Sequence, residues 1–312
     1  MKKNLTNVKW YDNDYSFSFT KSLYTSLRFA GYDVSHYEIA AKSGFAFRIW
    51  AARTLCASAM SIFDFDLLKK GVESCGFEVT HITRLWNEEH LEVERREQAY
   101  AAIKAAVDSG IPAIVWDATI PEWELVTGYD DECQEYSCLS VTGENGTLPY
   151  SGLGRREIPI LSVTIPGKLY DLPEKESVKS TLQAAVFHAW QNEWADRPAY
   201  ENGLAAYKVW SEALSLVTED DFQSRYYIQT YECLRRYAAK YLSDLSKEIK
   251  ELEPAALCYR EVHNHLSEAL ALHNDINFPA KAIILRMQDS ILKAGEAEER
   301  GIAAIEGYLK TL

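Results

Sequence analysis

The sequence has no excess of basic residues and no long apolar run. Lysine and arginine together number 33, and aspartate and glutamate 46, among the 312 residues, so the formal net charge is −13. A chain with this charge lacks the basic footprint of a protein that binds nucleic acid or an anionic membrane surface. No apolar run approaches the roughly 20 residues that a membrane-spanning helix needs. We therefore expect neither nucleic acid nor a membrane among its partners.

The sequence also lacks a secretion signal and the motifs of metal or nucleotide binding. Residues 1–5 contain two lysines, but no apolar stretch follows them, so we predict no signal peptide. The six cysteines include no CxxC pair, and His263, His265 and His273 lack the HExxH spacing of a zinc helix. No phosphate-binding loop, dinucleotide fingerprint or nucleophile elbow is present. These absences predict a cytoplasmic protein with reduced thiols, no metal and no cofactor.

The first half of the chain mixes helical and strand patterns. Apolar residues at helical spacing precede Gly31, and Ser35 with Glu38 forms a capping box for a second helix. A strand is predicted over 77–82 and a helix over 88–109. Four more strand-like runs follow, at 113–116, 123–128, 136–141 and 158–165. This order predicts an α+β domain with an antiparallel sheet.

The second half carries only helical patterns. From residue 172 onward, amphipathic stripes predict about five helices and no strand. A polar stretch with glycine and proline at 167–173 separates the two halves. We therefore predict two domains, 1–168 and 169–312, the second of them all-helical.

Three segments of the first half resemble a known family when taken in order. They are Ser18 to Gly31, the run Lys-Ser-Gly-Phe-Ala-Phe-Arg at 42–48, and the run at 121–131 that contains Thr-Gly-Tyr-Asp. Together they are similar to the bacterial family named after the N-terminal domain of butirosin biosynthesis protein H, over roughly residues 10–166. This resemblance implies a papain-like cysteine-hydrolase fold, distant from the double-glycine leader peptidases, with a helical tail. It also implies a secondary-metabolism acyltransferase-like activity on a small amine or an acyl-carrier thioester.

The resemblance further implies which positions would react. In the papain-type pattern the cysteine lies thirteen residues before the helix-ending glycine, which leads from Gly31 back to Ser18. The histidine lies six residues before the glycine of Thr-Gly-Tyr-Asp, which leads from Gly128 back to Glu122. The orienting residue would lie near Ser140 or Thr142. None of these positions holds the expected residue type, so peptidase activity is not expected.

Each candidate also has a structural interpretation. Ser18 is either a nucleophile activated by Glu122 or simply the N-cap of the helix that follows it. Glu124, one strand period from Glu122, could join it in holding an amine or a cation, or lie on an exposed strand face. Arg48 is either a clamp for a carboxylate or a phosphate, or a member of a structural ion pair. Trp123 and Tyr129 of the same run are further substrate-binding candidates.

Three functions remain open at this point. The first is an acyl- or amide-transfer enzyme with a substituted triad, using Ser18 and Glu122. The second is a non-catalytic member of the family that binds a small molecule or a peptide in the former active-site cleft. The third is an interaction protein whose helical tail mediates assembly, for instance as a homo-oligomer.

Overall fold

The computed structural model describes residues 1–190, 193 and 198–312. Within these residues the strands are β1 Lys2–Asn4, β2 Trp50–Ala52, β3 Phe77–Arg84, β4 Ala113–Trp116, β5 Trp123–Asp130, β6 Glu135–Leu139, β7 Asn145–Pro149, β8 Leu161–Leu169 and β9 Tyr200–Asn202. The α-helices are α1 Ser18–Phe29, α2 His36–Lys42, α3 Asp66–Ser74, α4 Glu92–Asp108, α5 Glu174–Trp190, α6 Leu204–Ala213, α7 Phe222–Glu248, α8 Glu253–His273 and α9 Lys281–Leu309. The chain is thus mixed α+β with an antiparallel sheet and C-terminal helices, as predicted at this level.

The chain divides into two compact units, each built from separate segments. Unit 1 comprises residues 1–13, 17–39 and 65–172, and unit 2 comprises residues 14–16, 40–64 and 173–312. Residues 40–64 therefore belong to the unit that contains the C-terminal helices, although the sequence pattern assigned them to the first domain.

Unit 1 is built on an antiparallel sheet with the strand order β3-β8-β4-β5-β6-β7. Helix α4 packs on this sheet, because Ala99, Ile103 and Val107 recur at four-residue spacing and join Val115 and Val126 in the core. The helix begins at Glu92, after a 3-10 turn at Glu89–Leu91, and not at residue 88 as predicted.

The glycine of the Thr-Gly-Tyr-Asp run is explained by a close approach of two strands. Strand β1 pairs with β5, with Asn4 opposite Gly128. A Cβ atom at Gly128 would lie 1.8 Å from the Asn4 side-chain oxygen and 2.7 Å from the carbonyl oxygen of Lys3. Only glycine therefore lets β1 add to this sheet without displacement.

Unit 2 contains the five predicted C-terminal helices, α5 to α9, and a small sheet that the sequence did not predict. Strand β9 pairs antiparallel with β2, from Trp50 opposite Asn202 to Ala52 opposite Tyr200. The prediction of no strand beyond residue 172 is therefore wrong. A strand of three residues is too short to show an alternating pattern, and its partner lies far away in the sequence.

One face of α7 binds the backbone of residues 46–56. Arg235 donates hydrogen bonds to the carbonyl oxygens of residues 46–48 at 2.8–3.3 Å. One turn earlier, the Tyr231 hydroxyl bonds both backbone groups of Trp50. A further turn earlier, the Tyr227 hydroxyl accepts from the amide of residue 52 and donates to the carbonyl of residue 56. The distinctive run at 42–48 thus has a structural role, since buried backbone groups must find hydrogen-bond partners.

Candidate functional site

Ser18 is the first residue of α1, and its side chain does not cap the helix. Phe17 occupies the N-cap position, without a side-chain capping bond. The prediction that Ser18 is an N-cap residue is therefore wrong. Its hydroxyl instead donates to Glu122, with 2.5 Å between Oγ and Oε2, and accepts from the backbone N–H of Trp123 at 3.3 Å. Ser18 is buried, and it lies at the helix end where the peptide dipoles favour negative charge.

Glu122 is presented by a tight loop between β4 and β5. The amide of Asp117 donates to the carbonyl of Glu122 at 2.9 Å, which closes the loop at its base. The amide of Glu122 donates to the carbonyl of Ile120 at 2.7 Å, which forms a turn inside it. Glu122 is 104 residues from Ser18 in the sequence, so the loop and α1 together build the contact.

Glu124 holds this loop from inside the protein. Its side chain is fully buried, and its carboxylate accepts from both the amide and the hydroxyl of Thr119 at 2.5 Å. Glu124 therefore does not lie on an exposed strand face. Buried carboxylate oxygens need hydrogen-bond partners. The two bonds from Thr119 therefore hold the backbone of this residue in the loop that presents Glu122.

Asp117 and Arg156 belong to the same loop but were not found from the sequence. Arg156 approaches the Asp117 carboxylate at 3.3 Å and donates to the carbonyl of Ala118 at 2.8 Å. Asp117 has a φ of 52°, in the left-handed region, and its buried Oδ2 atom has no hydrogen-bond partner in the part of the chain that the structure describes. Burial raises the pKa of Asp117 to about 6, although the Arg156 charge acts in the opposite direction.

Trp123 and Tyr129 are both core residues. The Trp123 ring packs against Phe17, Phe65 and Trp116, with centroid distances of 5.1, 5.4 and 4.4 Å. Its backbone amide donates to the Ser18 hydroxyl. Tyr129 lies six residues further along β5, about 20 Å away at the usual rise of a strand. Its hydroxyl donates to Asp108, and the Lys104 ammonium lies 4.6 Å from its ring centre. The structure does not bring Tyr129 to Ser18.

Arg48 lies in unit 2 and is engaged in a buried ion pair. Its guanidinium bonds both carboxylate oxygens of Glu193 at 3.2 and 3.3 Å, and His188 contacts the same carboxylate at 2.8 Å. Burial raises the pKa of Glu193, but the hydrogen bond from His188 and the Arg48 charge outweigh it and hold the pKa at about 2. This is the structural ion pair that was one of the two interpretations of Arg48.

The remaining candidates are engaged in local contacts. The Ser140 hydroxyl accepts from the amide of Thr142, and its carbonyl accepts from the Trp10 indole at 2.8 Å. His263 bonds Glu232 and His273 bonds Ser224. Across residues 1–190, 193 and 198–312, no three histidine, cysteine or acidic side chains are grouped as a metal site would require. None of the helices described combines the length and the apolar character needed to cross a membrane.

Comparison with known proteins adds no assignment. No family model matches the chain, and no curated protein is significantly similar to it. The resemblance to the butirosin biosynthesis protein H family therefore stays a prediction. The functional argument rests on the geometry around Ser18 and Glu122.

Proposed function

We propose that Ser18 and Glu122 are the reacting pair of an acyl- or amide-transfer enzyme with a papain-like arrangement. In this arrangement serine replaces the cysteine nucleophile and glutamate replaces the histidine base. The observation that carries the proposal is the 2.5 Å contact between a serine hydroxyl at the start of a helix and a carboxylate oxygen. A nucleophile bonded directly to its base is the arrangement that covalent catalysis needs.

The reaction would proceed in two steps through a serine ester. Glu122 takes the hydroxyl proton as Ser18 Oγ attacks the carbonyl carbon of a thioester, the C–S bond breaks, and the leaving thiolate takes the proton from Glu122. An amine then attacks the ester, and the C–O bond breaks. The amine proton passes through Glu122 to Ser18 Oγ, which leaves the amide product and the free enzyme.

The surroundings of the pair favour this proton transfer. Phe17 and Trp123 are almost fully buried beside Ser18, so the hydroxyl lies next to an apolar region. A low local dielectric strengthens the hydrogen bond between a hydroxyl and a carboxylate. The start of α1 lies where negative charge on Oγ is favoured.

A second candidate is non-catalytic binding of a small molecule or a peptide by the same pair. It is favoured by the saturation of the Ser18 hydroxyl, which donates to Glu122 and accepts from the Trp123 amide. A carboxylate is also a much weaker base than the anion of an alcohol. In this case Glu122 would anchor an amine and no covalent bond would form.

Covalent labelling separates the two candidates. We would treat the full chain with diisopropyl fluorophosphate and with a small acyl thioester, and locate the adducts by mass spectrometry. We expect an adduct on Ser18 that Ser18→Ala abolishes and that Glu122→Gln slows by about 10²-fold or more, because general base catalysis contributes that much.

The chain offers a matched control at the start of α2. The Ser35 hydroxyl donates to the Glu38 carboxylate, so Ser35 is also a serine paired with a glutamate near a helix N-terminus. Ser35→Ala should leave the labelling unchanged. If Ser18 carries no adduct with either reagent, the enzymatic proposal is wrong and ligand binding becomes the function to test.

A further inference from the structure

The position of Glu122 depends on how the loop at 117–122 is held. Two backbone hydrogen bonds close it, one at its base and one inside the turn. Glu124 fixes its centre through Thr119. The end next to β4 is held by Arg156, which bridges the Asp117 carboxylate and the carbonyl of Ala118.

The bridge made by Arg156 restrains a backbone conformation that is otherwise unfavourable. Asp117 has a φ of 52°, which L-residues adopt rarely because Cβ approaches the neighbouring carbonyl. The same residue donates its amide to the carbonyl of Glu122. A change of conformation at Asp117 would therefore move Glu122 relative to Ser18.

The carboxylate of the Asp117–Arg156 ion pair is poorly solvated, because Asp117 is buried. Three charged groups face the Asp117 carboxyl: Arg156, Glu124 and Glu157. Burial is the largest influence and raises the pKa of Asp117, and the two glutamates raise it further, whereas the Arg156 charge and a backbone hydrogen bond from Ile158 lower it. Among the described residues Oδ2 has no hydrogen-bond partner and is buried, so a proton on this oxygen would displace no hydrogen bond.

We propose that Asp117 and Arg156 are positioning residues for Glu122, and that protonation of Asp117 releases the loop from the Ser18 hydroxyl. Above the pH of the transition, the charged carboxylate of Asp117 holds Arg156 in contact with both that carboxylate and the carbonyl of Ala118. Below it the ion pair is lost, and Arg156 no longer restrains Ala118. The coupling is a property of unit 1 alone, whereas its meaning for catalysis rests on the proposed function.

The backbone amide of Trp123 gives a readout that requires no activity. This amide donates to Ser18 Oγ, so its NMR shift reports the geometry of the pair. We would label the full chain with [15N]tryptophan, assign the Trp123 signal by substitution with phenylalanine, and record the shift from pH 4.5 to 8. We expect a transition with a midpoint near pH 6 in the unmodified protein. In Asp117→Asn and in Arg156→Gln the pH-7.5 signal should already lie at the low-pH position of the unmodified protein.

A conservative variant and a neighbouring carboxylate provide the controls. Arg156→Lys keeps the charge and should keep the transition. Glu157→Gln removes a charge that raises the pKa of Asp117, so it should keep the transition and move its midpoint to lower pH. A transition that survives in Asp117→Asn, or that is absent from the unmodified protein, would overturn the proposal.

The two proposals can fail separately. If Ser18 is never labelled but the Trp123 transition disappears in Asp117→Asn, Asp117 and Arg156 are positioning residues and the enzymatic function is wrong. If Ser18 is labelled and the transition does not depend on Asp117, the enzymatic function is supported and the positioning role of Asp117 and Arg156 is wrong. If both hold, the rate of Ser18 labelling at pH 7.5 should fall at least tenfold in Asp117→Asn.

Discussion

At the residue scale, serine and glutamate bias proton transfer differently from cysteine and histidine. A thiol next to an imidazole readily exists as an ion pair, because the two groups have similar pKa values. A hydroxyl next to a carboxylate stays neutral until the transition state forms, since the alcohol is a far weaker acid. The Ser18–Glu122 contact is therefore compatible with slow acyl transfer from an activated donor.

Restoring the cysteine and the histidine would test whether these two positions correspond to a papain-type pair. We expect the thiol of the double variant Ser18→Cys, Glu122→His to have a lowered pKa, because it would face an imidazolium at a helix N-terminus. Iodoacetamide should then alkylate position 18 at pH 6 at least tenfold faster than in Ser18→Cys alone, as measured by peptide mass spectrometry. In that single variant Glu122 would raise the thiol pKa. Equal rates in the two variants would contradict the papain-type correspondence.

The buried charge of Asp117 predicts a pH dependence of stability. The pKa of Asp117 is raised from 3.8 to about 6 in the folded protein, so folding favours the protonated carboxyl. The stability that this preference gives is fully present below pH 4 and is lost as the pH rises through 6. Asp117→Asn removes this loss. We expect the variant to be more stable than the unmodified protein by about 3 kcal/mol at pH 7, and to show no such gain at pH 4. Urea denaturation at the two pH values measures the difference, and a gain of equal size at both would contradict the assignment.

The sequence predicted some of these residues and not others, for a physical reason. Ser18 and Glu122 were chosen only through the family resemblance, which implies fixed distances from Gly31 and Gly128 to the reacting positions. Asp117 and Arg156 carry no such signal, since their contact joins the end of a strand to a loop 39 residues later. The failed N-cap assignment of Ser18 has the same origin, because the partner that attracts the hydroxyl is distant in sequence.

At the element scale, helix α7 contributes a row of polar side chains to the interior of unit 2. Tyr227, Tyr231 and Arg235 are spaced by four residues, so they share one face of the helix. Arg235 is also paired with the buried carboxylate of Glu298, which Tyr207 contacts as well. This face supplies hydrogen-bond partners to backbone groups of residues 46–56.

Removing the arginine from this row should be strongly destabilising. Arg235→Met leaves Glu298 buried without its counter-ion, and we expect a loss of about 3–5 kcal/mol of unfolding free energy in urea denaturation. Adding Glu298→Met should recover part of the loss, because the isolated charge is gone while the carbonyl groups of residues 46–48 still lack a donor. A loss below 1 kcal/mol in the single variant would show that the ion pair is not needed.

The glycine in β5 allows a second test at this scale. Gly128→Ala places a methyl group against Asn4 and the Lys3 carbonyl, so β1 should separate from β5. We expect a loss of about 1–3 kcal/mol, the usual result of overpacking, and faster tryptic cleavage after Lys2 and Lys3. Gly307→Ala is the control, because it meets no atom within 4 Å and lies in a helix. Unchanged cleavage in Gly128→Ala would contradict this account of the glycine.

The elements that the sequence predicted are those with enough residues to show a period. Strand β4 was predicted with its observed ends, because it is a continuous apolar run bounded by turns. The five C-terminal helices were found from their apolar stripes. Strands β1, β2 and β9 have three residues each, which is fewer than two repeats of the alternating pattern. Their existence depends on pairing partners and not on local preference.

At the scale of the whole molecule, the two units cannot be separated by one cut in the chain. Residues 40–64 belong to unit 2 but precede most of unit 1 in the sequence. Within unit 2 their backbone groups bond Tyr227, Tyr231 and Arg235 of α7. A division near residue 168 therefore follows composition, whereas the packing of unit 2 spans that division.

This organisation predicts how fragments of the chain behave. In a fragment of residues 1–172, the segment 40–64 would lose its hydrogen-bond partners on α7 and would expose Phe45, Phe47 and Trp50 to water. We expect the segment 40–64 of this fragment to be rapidly proteolysed, because its buried backbone groups would lack partners, whereas unit 1 keeps its own core. Co-expression with residues 173–312 should restore a protease-resistant complex that purifies through a tag on either fragment. The matched test is Arg235→Met in the second fragment, which should weaken recovery of the complex. If the segment 40–64 resists the protease in the fragment as well as it does in the full chain, it does not need α7 to fold.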